Sequence, residues 1–212
     1  NCEVSYFNRG IRTVQLEGGA IEDNTIDHSQ CSSGCGVGTS DSPYGLDITS
    51  GSKDLVIARN VVLNSADEGI HISGKTPTCA KSDNDPGGQL LENNHVSGSG
   101  TEGVYILCSD HNRLVDNDMM DNHVISGNEI RLFIDEWSTE NVILGNHFVN
   151  DPIAVKRASN RNSFVGNVLT ENTTADGPNA RIKFTGSSSN FIGSTSINGA
   201  GATAALYVYE KD

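Results

Sequence analysis

Several side chains in this sequence could together move a proton next to a carboxylate. That chemistry needs a cation to neutralise the carboxylate, a base to take the proton, and an acid. These residue types recur in the middle of short apolar segments, at positions that would point outward from a strand. The predicted catalytic residues are His71, Tyr105, Arg131 and Lys156, and the predicted substrate-binding residues are Asp47, Glu129, Arg181, Lys183 and Trp137.

Each predicted catalytic residue has an expected role. Arg131 would neutralise the carboxylate, and Tyr105 or His71 would exchange the α proton. Lys156 is the alternative base, because desolvation lowers the pKa of a lysine. Trp137 would either stack on a sugar ring or cover a corner of the fold. In the competing interpretation, all of these side chains are ordinary polar surface.

The segments that carry these residues are predicted to be strands, each with two apolar residues at a spacing of two. The pairs are Leu46/Ile48, Ile70/Ile72, Val104/Ile106, Ile130/Leu132, Ile153/Val155, Ile182/Phe184 and Leu206/Val208. The residue between each pair points outward, which predicts a column of Arg12, Asp47, His71, Tyr105, Arg131, Ala154, Lys183 and Tyr207. Neighbouring strands of a sheet lie about 4.8 Å apart, so these side chains would form one continuous stripe.

A second repeat fixes the predicted fold. An aliphatic residue or Phe is followed three positions later by Asn at Ile21/Asn24, Ile57/Asn60, Leu91/Asn94, Leu114/Asn117, Ile143/Asn146 and Phe164/Asn167, with Phe191/Ser194 as a degenerate copy. Short strands with Asn at a fixed turn are typical of a parallel β-solenoid. We therefore predict an all-β, single-stranded, right-handed parallel β-helix of about eight rungs with a stack of Asn side chains, an Asn ladder.

The ladder spacing also makes a prediction about assembly. Asn1 precedes Gly10 by nine residues, as Asn60 precedes Gly69 and Asn94 precedes Gly103. Asn1 is therefore predicted to be a ladder residue in the middle of a coil. We expect residues 1–212 to form one domain of a longer chain or assembly, with end-to-end self-association through open coils.

Composition and charge exclude several classes of protein. Hydrophobic residues make up 35% of the 212 residues, against roughly 45–50% in typical soluble domains. No stretch approaches the ~20 apolar residues of a membrane helix, so membrane insertion is not expected. The net charge of −13 excludes a basic nucleic-acid-binding surface. The cysteines and the absence of an initiator Met favour a secreted or cell-surface protein.

Positive charge is concentrated in one part of this acidic chain. Six of its 14 Lys and Arg residues lie between positions 131 and 183: Arg131, Lys156, Arg157, Arg161, Arg181 and Lys183. A cationic stripe along stacked rungs favours an extended anionic ligand. The predicted partner is an acidic polysaccharide such as a polyuronic acid.

The sequence resembles the right-handed parallel β-helix proteins of the pectate-lyase type, with coils similar to those of mannuronan epimerases and alginate lyases. Residues 44–49, Tyr-Gly-Leu-Asp-Ile-Thr, are similar to the epimerases' catalytic segment Tyr-Gly-Phe-Asp-Pro-His. The resemblance implies that Asp47 is the acidic residue of that segment. Thr49 replaces the segment's His, and His71 on the next rung would substitute for it.

Two functions and one cofactor question stay open on the sequence alone. The first function is a uronan lyase or epimerase, and the second is a non-catalytic glycan-binding or self-assembling scaffold. No cofactor is predicted, with calcium as the alternative, because residues 83–85 resemble the start of a calcium loop that no Glu completes. Cys31 and Cys35 are predicted to form a small disulfide or half of a metal site, and Cys108 a buried thiol.

Overall fold

A computed structural model describes residues 2–29, 42–49, 51–74, 79, 86–122, 132–150, 152–171, 180–199 and 204–209. The described residues form short strands and no helix, so none of them belongs to a helix that could cross a membrane. The strands are β1 Glu3–Ser5, β2 Ile11–Val14, β3 Ala20–Glu22, β4 Thr25–Asp27, β5 Leu46–Thr49, β6 Val56–Ala58, β7 Val61–Leu63, β8 Ile70–Ser73, β9 Leu90–Glu92, β10 His95–Ser97, β11 Val104–Leu107, β12 Arg113–Val115, β13 Asp118–Met120, β14 Leu132–Asp135, β15 Val142–Leu144, β16 His147–Val149, β17 Ile153–Lys156, β18 Ser163–Val165, β19 Val168–Glu171, β20 Ala180–Thr185, β21 Phe191–Gly193, β22 Ser196–Gly199 and β23 Ala204–Tyr209.

The strands form three sheets, and every strand pair is parallel. The first sheet has the order β1-β4-β7-β10-β13-β16-β19-β22, the second β2-β5-β8-β11-β14-β17-β20-β23, and the third β21-β18-β15-β12-β9-β6-β3. Each sheet takes every third strand of the chain, so each turn of the chain adds one strand to each sheet. This is the predicted right-handed parallel β-helix with eight rungs in its second sheet.

The core is a set of aliphatic stacks between the three sheets. Ile70 and Ile72 of β8 are fully buried and pair with Val104 and Ile106 of β11. Larger side chains, Phe148 and Phe164, fill the interior farther along the helix axis. Identical positions on successive rungs therefore pack on one another, which explains the repeat of apolar pairs in the sequence.

The predicted Asn ladder is present between the third and first sheets. The Asn94 side-chain amide donates to the Asn117 Oδ1 at 2.9 Å, and the Asn94 backbone amide donates to the same oxygen at 3.0 Å. The Asn117 side chain also donates to the backbone carbonyl of Leu91 at 2.9 Å. Equivalent bonds join the other ladder residues from Asn24 to Asn167. Each Asn thus satisfies buried backbone groups of its own coil and its neighbour's.

A second ladder, which the sequence analysis missed, lies at the turn before the third sheet. Asn112 donates to Asn141, Asn141 to Asn162, and Asn162 to Asn190, all at 2.9–3.1 Å. Gln89 takes the equivalent place one coil earlier, and its backbone amide donates to the Asn112 Oδ1 at 3.1 Å. The signal was an Asn five residues before each of Asn117, Asn146 and Asn167.

Two ladder assignments from the sequence were displaced by one residue. Cys2, and not Asn1, takes the ladder position, because its backbone amide donates to the Asn24 Oδ1 at 3.0 Å. At the other end Phe164 pairs with Ile192 and not Phe191, and Thr195 takes the ladder place, where its hydroxyl donates to the Phe164 carbonyl at 3.4 Å. Both errors have the same cause. The residue at the ladder position of each outermost copy is not an Asn, so only the spacing from neighbouring residues could set the register.

The prediction of a buried Cys108 thiol was wrong. Cys108 forms a disulfide with Cys79, with 5.3 Å between the two Cα atoms. Spacing could not find this pair, because Cys79 lies in the insertion between β8 and β9 and meets Cys108 only through the stacking of coils. Cys31, Cys35 and residues 83–85 lie outside the described residues.

Candidate functional site

The outward face of the second sheet carries the residues that the sequence analysis singled out. The strand register aligns one outward position on each rung, and we call this set the polar column: Arg12, Asp47, His71, Tyr105, Phe133, Ala154 and Lys183. Lys156 lies one outward position further along its strand, in register with Thr185. Parallel pairing brings residues from distant parts of the chain side by side.

The predicted place of Arg131 in this column was wrong. Phe133 pairs with Tyr105, and Leu132 and Ile134 fill the core where Ile130 and Leu132 were expected. Ile130, Leu132 and Ile134 follow one another at a spacing of two. Either the first two or the last two of them could be the inward-facing pair, so the pattern allowed two registers. Arg131 and Glu129 lie outside the described residues. Arg181 is part of strand β20, but its side chain is not among the described ones.

Asp47 and His71 form a buried pair at the centre of the polar column. The His71 Nδ1 lies 3.2 Å from the Asp47 Oδ1, and their exposed fractions are 8% and 1%. Arg9 and Arg12 each place a guanidinium nitrogen 3.1–3.2 Å from the other carboxylate oxygen. The two arginines offset the negative charge of Asp47, whose carboxylate can accept a hydrogen bond from an Nδ1–H of His71. In that tautomer of the neutral ring Nε2 is the proton acceptor, as in a carboxylate-oriented general base.

Two tyrosines enclose the His71 ring. The Tyr44 ring centroid is 4.2 Å from that of His71, and the Tyr105 centroid is 5.8 Å away on the other side. Burial raises the pKa of both phenols, and the nearby carboxylates raise it further. Each tyrosine therefore keeps its proton and is a hydrogen-bond donor, with Tyr105 donating to the Asp135 Oδ2 at 3.3 Å.

A pair of lysines lies on the same face, on strands three and four rungs from that of His71. The Lys156 ammonium lies 4.8 Å from the Phe133 ring centroid, on the face that attracts a cation. Burial lowers the pKa of Lys156, and the positive charge of Lys183 lowers it further. Ala154, in register with Lys183, places only a methyl group between Phe133 and Lys183. The two lysines thus concentrate positive charge where the column has its smallest side chain.

Several residues of this site were missed by the sequence analysis. Tyr44 was quoted only as part of the segment around Asp47, and its position before Gly45 was the available signal. Glu68 and Glu102 stand at the equivalent positions before Gly69 and Gly103, and burial raises the pKa of both carboxyl groups. These residues precede the strands, so strand alternation could not assign them a direction.

Glycine is required where these residues enter the second sheet. A Cβ on Gly69 would lie 2.5 Å from the Val96 Cγ1 and 2.7 Å from the Gly103 carbonyl oxygen. Gly45 has the same close contacts with the next coil. The glycines let the coils stack closely and so place the residue before each of them beside the polar column.

A pocket of about 340 Å³ lies at the edge of the second sheet, after strands β11 and β14. Trp137 lines this pocket with an exposed fraction of 54%, together with Asp110, His111 and the Cys79–Cys108 disulfide. An exposed aromatic ring beside polar groups can stack on a sugar ring. Trp137 thus lies at the edge of the second sheet, beside a pocket that no residue of the polar column lines.

Comparisons with solved structures agree with this architecture of stacked coils. A DFA-IIIase of Arthrobacter chlorophenolicus A6 in complex with GF2 shares 14% identity over 97% of this chain and 50% of its own, with a TM-score of 0.71. The A-module of the mannuronan C-5 epimerase AlgE6 of Azotobacter vinelandii shares 15% identity over 96% and 53%, with a TM-score of 0.71. An alginate lyase of Paenibacillus sp. str. FPU-7 shares 11% identity over 94% of this chain and 70% of its own, with a TM-score of 0.60.

These similarities define the class as parallel β-helix proteins, and the chain spans about half the length of the first two structures. No curated protein sequence matches significantly. The family described as periplasmic copper-binding protein (NosD) matches residues 1–124 and 83–200. The chain belongs to the NosD family.

The described residues do not fit a copper site. Among them, one group of three potential ligands converges within 4.8 Å: Cys79, Cys108 and Glu136. The two sulfurs of that group are bonded to each other, so neither is a thiolate. His95 and His147 each bond through Nδ1 to a different oxygen of Asp118, which separates the two rings.

Proposed function

We propose that this protein acts on an acidic polysaccharide laid along the polar column, by removing the proton α to a uronate carboxylate. One observation carries the proposal: His71 is buried between two tyrosines with its Nδ1 held by Asp47, and a pair of lysines lies on the same face. A carboxylate-oriented histidine supplies the base that this reaction needs, and the lysines on the same face supply positive charge for binding an anionic polymer. The similarity of the fold to those of an epimerase and an alginate lyase supports the same type of reaction.

The roles follow from the contacts. Lys156 and Lys183, on strands three and four rungs from that of His71, bind uronate carboxylates farther along the same polymer. The His71 Nε2 takes the α proton, and the electron pair of the broken C–H bond moves into the carboxylate. Tyr105 keeps its proton because its pKa is raised, so it is a donor to the intermediate and not the base. Returning a proton to the opposite face gives the epimer, and expelling the glycosidic oxygen gives chain cleavage.

The test is a screen of the purified chain against alginate, pectate and glycosaminoglycans in D2O. Deuterium at the carbon next to the carboxylate, measured by NMR, reports proton abstraction, and ultraviolet absorbance reports the unsaturated product of cleavage. Parallel reactions with calcium and with a chelator test the prediction that no cofactor is needed. A protein that exchanges no proton on any of these polymers contradicts the proposal.

A second candidate function is glycan binding without catalysis. The exposed Trp137 beside the 340 Å³ pocket supports it, because an aromatic platform next to polar groups is sufficient for binding a sugar. In that case the polar column would bind a uronan with strong salt dependence, and no proton would exchange. Binding by titration calorimetry without deuterium incorporation identifies this outcome.

We also propose that the protein works outside the cytoplasm, either secreted or on the cell surface. The Cys79–Cys108 disulfide supports this location, since such bonds persist in oxidising compartments. The description of the NosD family as periplasmic supports it as well. The described chain would be one β-helix domain of a longer protein or assembly.

A further inference from the structure

The proposed reaction needs a positive charge beside His71 that the two lysines do not supply. Lys156 lies on β17 and Lys183 on β20, three and four strands from β8 in the order of the second sheet. Strands are about 4.8 Å apart, so the nearer lysine lies roughly 14 Å along the axis from His71. The carboxylate of the reacting sugar is bonded directly to the carbon that loses the proton. A cation that neutralises this carboxylate must therefore lie closer to His71.

Arg12 lies near His71 on the side away from the lysines. The strand register aligns Arg12 of β2 with Asp47 of β5, and Asp47 with His71 of β8. The Arg12 Nε lies 3.2 Å from the Asp47 Oδ2, and the His71 Nδ1 lies 3.2 Å from the Asp47 Oδ1. One carboxylate thus contacts a guanidinium and an imidazole through different oxygens, and it holds both of them on the same face of the second sheet.

The two arginines beside Asp47 differ in exposure. The Arg9 side chain is 17% exposed, and its guanidinium lies 5.6 Å from the Tyr44 ring centroid in a cation–π contact. The Arg12 side chain is 47% exposed and makes its ion pair with Asp47 through Nε. Its terminal nitrogens, Nη1 and Nη2, have no ion-pair partner in the described part of the chain. These two nitrogens can donate parallel hydrogen bonds to a carboxylate of a bound polymer.

We propose that Arg12 is a catalytic residue that binds the carboxylate of the reacting uronate through Nη1 and Nη2, while its Nε stays on Asp47. The inference rests on the proposed function, and it names the cation which that function requires. Arginine suits this task because its planar fork matches the two oxygens of a carboxylate, whereas a lysine offers a single ammonium. The polymer would run from Arg12 past His71 toward the two lysines.

The step balances in protons and electrons. The His71 Nε2 forms a bond to the α proton as the C–H bond breaks, and the electron pair of that bond moves toward the carboxylate. Arg12 transfers no proton, and its two hydrogen bonds strengthen as negative charge develops on the carboxylate oxygens, so it stabilises the intermediate more than the substrate. His71 then gives its proton to water. Water supplies a proton either to the opposite face of the sugar or to the leaving oxygen, so no other reactant is consumed.

Replacing Arg12 with a neutral residue should therefore slow proton abstraction. At saturating uronan in D2O, we expect Arg12→Gln to incorporate deuterium at the α carbon at least about 10²-fold more slowly than the wild type, the usual loss for a group that binds developing charge. Arg59→Gln is the matched control and should exchange at the wild-type rate. Arg59 is 51% exposed, and its Nε lies 2.8 Å from an Asp23 oxygen, but it follows strand β6 of the third sheet.

A second background separates contact with the substrate from support of Asp47. Asp47→Asn removes the ion pair with Arg12 but keeps the guanidinium. If Arg12 binds the substrate, adding Arg12→Gln to Asp47→Asn should slow exchange at least about tenfold further, whereas an arginine that acts only through Asp47 gives equal rates. Arg12→Lys keeps the charge but not the fork, and it should exchange at a rate between those of the wild type and Arg12→Gln. It replaces Arg12→Gln in both backgrounds if the melting temperature shows that Arg12→Gln does not fold.

The outcomes distinguish this inference from the proposed function. Slower exchange on loss of Arg12 in both backgrounds supports the inference. A wild type that exchanges deuterium no faster than Arg12→Gln overturns the role of Arg12 and leaves the proposed function standing. Equal rates for Asp47→Asn and the double variant overturn it as well, since Arg12 then acts only by positioning Asp47. A wild type that exchanges no deuterium on any uronan removes the proposed function together with this inference.

Discussion

At the residue scale, the contacts of Asp47 with His71 and with two arginines are the centre of the proposed site. One of the Asp47 oxygens lies 3.2 Å from the His71 Nδ1, and the other lies within ion-pair distance of Arg9 and Arg12, so two cations offset the charge of this buried carboxylate. A buried carboxylate that lacked such partners would cost several kcal/mol. The contact with Asp47 orients the His71 ring, as the proposed role of His71 as a base requires.

Removing the proton donor or the orienting carboxylate should slow turnover without unfolding the coil. We expect Tyr105→Phe and Asp47→Asn each to reduce turnover on the responsive uronan by about 10²-fold, the usual scale for acid or base groups. Tyr6→Phe is the matched control, because Tyr6 is 72% exposed and away from the polar column. Initial rates and melting temperatures check the expectation, and equal rates for Tyr105→Phe and Tyr6→Phe would contradict it.

The pKa of Lys156 should respond to the charge of Lys183. Burial and the charge of Lys183 both lower the pKa of Lys156, so Lys183→Ala should raise the Lys156 pKa toward its usual value, with burial and the charge of Arg157 still lowering it. NMR of isotopically labelled lysine ammonium groups across a pH series measures the change. Lys53→Ala, at a turn near the pocket, is the control and should leave the Lys156 pKa unchanged.

Strand alternation predicted part of the site from the sequence and missed the rest for physical reasons. Asp47, His71 and Tyr105 each lie between two apolar residues, which fixed their outward direction. Arg131 was misplaced because three apolar residues at a spacing of two allow two choices of the inward-facing pair in its segment. Glu68 precedes its strand, where a bend over Gly69 sets the direction of the side chain, and no periodic pattern extends there.

At the scale of elements, the turns hold the coils in register. Each ladder Asn bonds to backbone groups of two coils, so the sheets on both sides of that turn share one register. The first ladder was readable from sequence because its spacing from an aliphatic residue is constant. The second ladder has an equally constant spacing, but it was overlooked because Gln replaces Asn at position 89 and the copy that holds Asn190 was placed one residue out of register. The Cys79–Cys108 bond was overlooked because it joins an insertion to a strand end.

Truncating one ladder residue should leave buried backbone groups unpaired. Asn117→Ala removes the acceptor of the Asn94 backbone amide and the donor to the Leu91 carbonyl, so we expect the free energy of unfolding to fall by about 2–3 kcal/mol. Asn93→Gly is the control, because Asn93 is exposed with a φ of 53°, which glycine adopts freely. Urea unfolding of both variants measures the difference, and equal stability would contradict the role of the ladder.

At the scale of the whole molecule, the solenoid places two positive side chains together on one face of an acidic protein. The net charge is −13, yet Lys156 and Lys183 lie together on the second sheet, where an anionic chain could follow the rungs. The sequence could predict this layout because a solenoid converts a repeat in the chain into a column in space. The sequence could not predict how deeply His71 is buried, because that depends on how far the neighbouring aromatic rings cover it.

The outermost strands of the second sheet should promote self-association. Val14 in β2 and Leu206 and Val208 in β23 have exposed fractions of 48–63%, and unpaired strand edges favour pairing with another chain. We expect sedimentation velocity to show mass rising with concentration, and a Leu206→Lys, Val208→Lys double variant to suppress the rise. Val168→Lys, with 39% exposure on a strand inside the first sheet, is the control. A mass independent of concentration would contradict this expectation.

Deuterium exchange measures whether the polar column removes a proton α to a carboxylate through His71. Wild type, His71→Gln and His95→Gln are incubated in D2O with each uronan, and deuterium at the α carbon is followed by NMR. His95 is the matched control, since an aspartate also holds its Nδ1, at 3.0 Å, but on the first sheet. The account predicts exchange by wild type and His95→Gln and at least about 10²-fold slower exchange by His71→Gln. Equal exchange by all three proteins would contradict it.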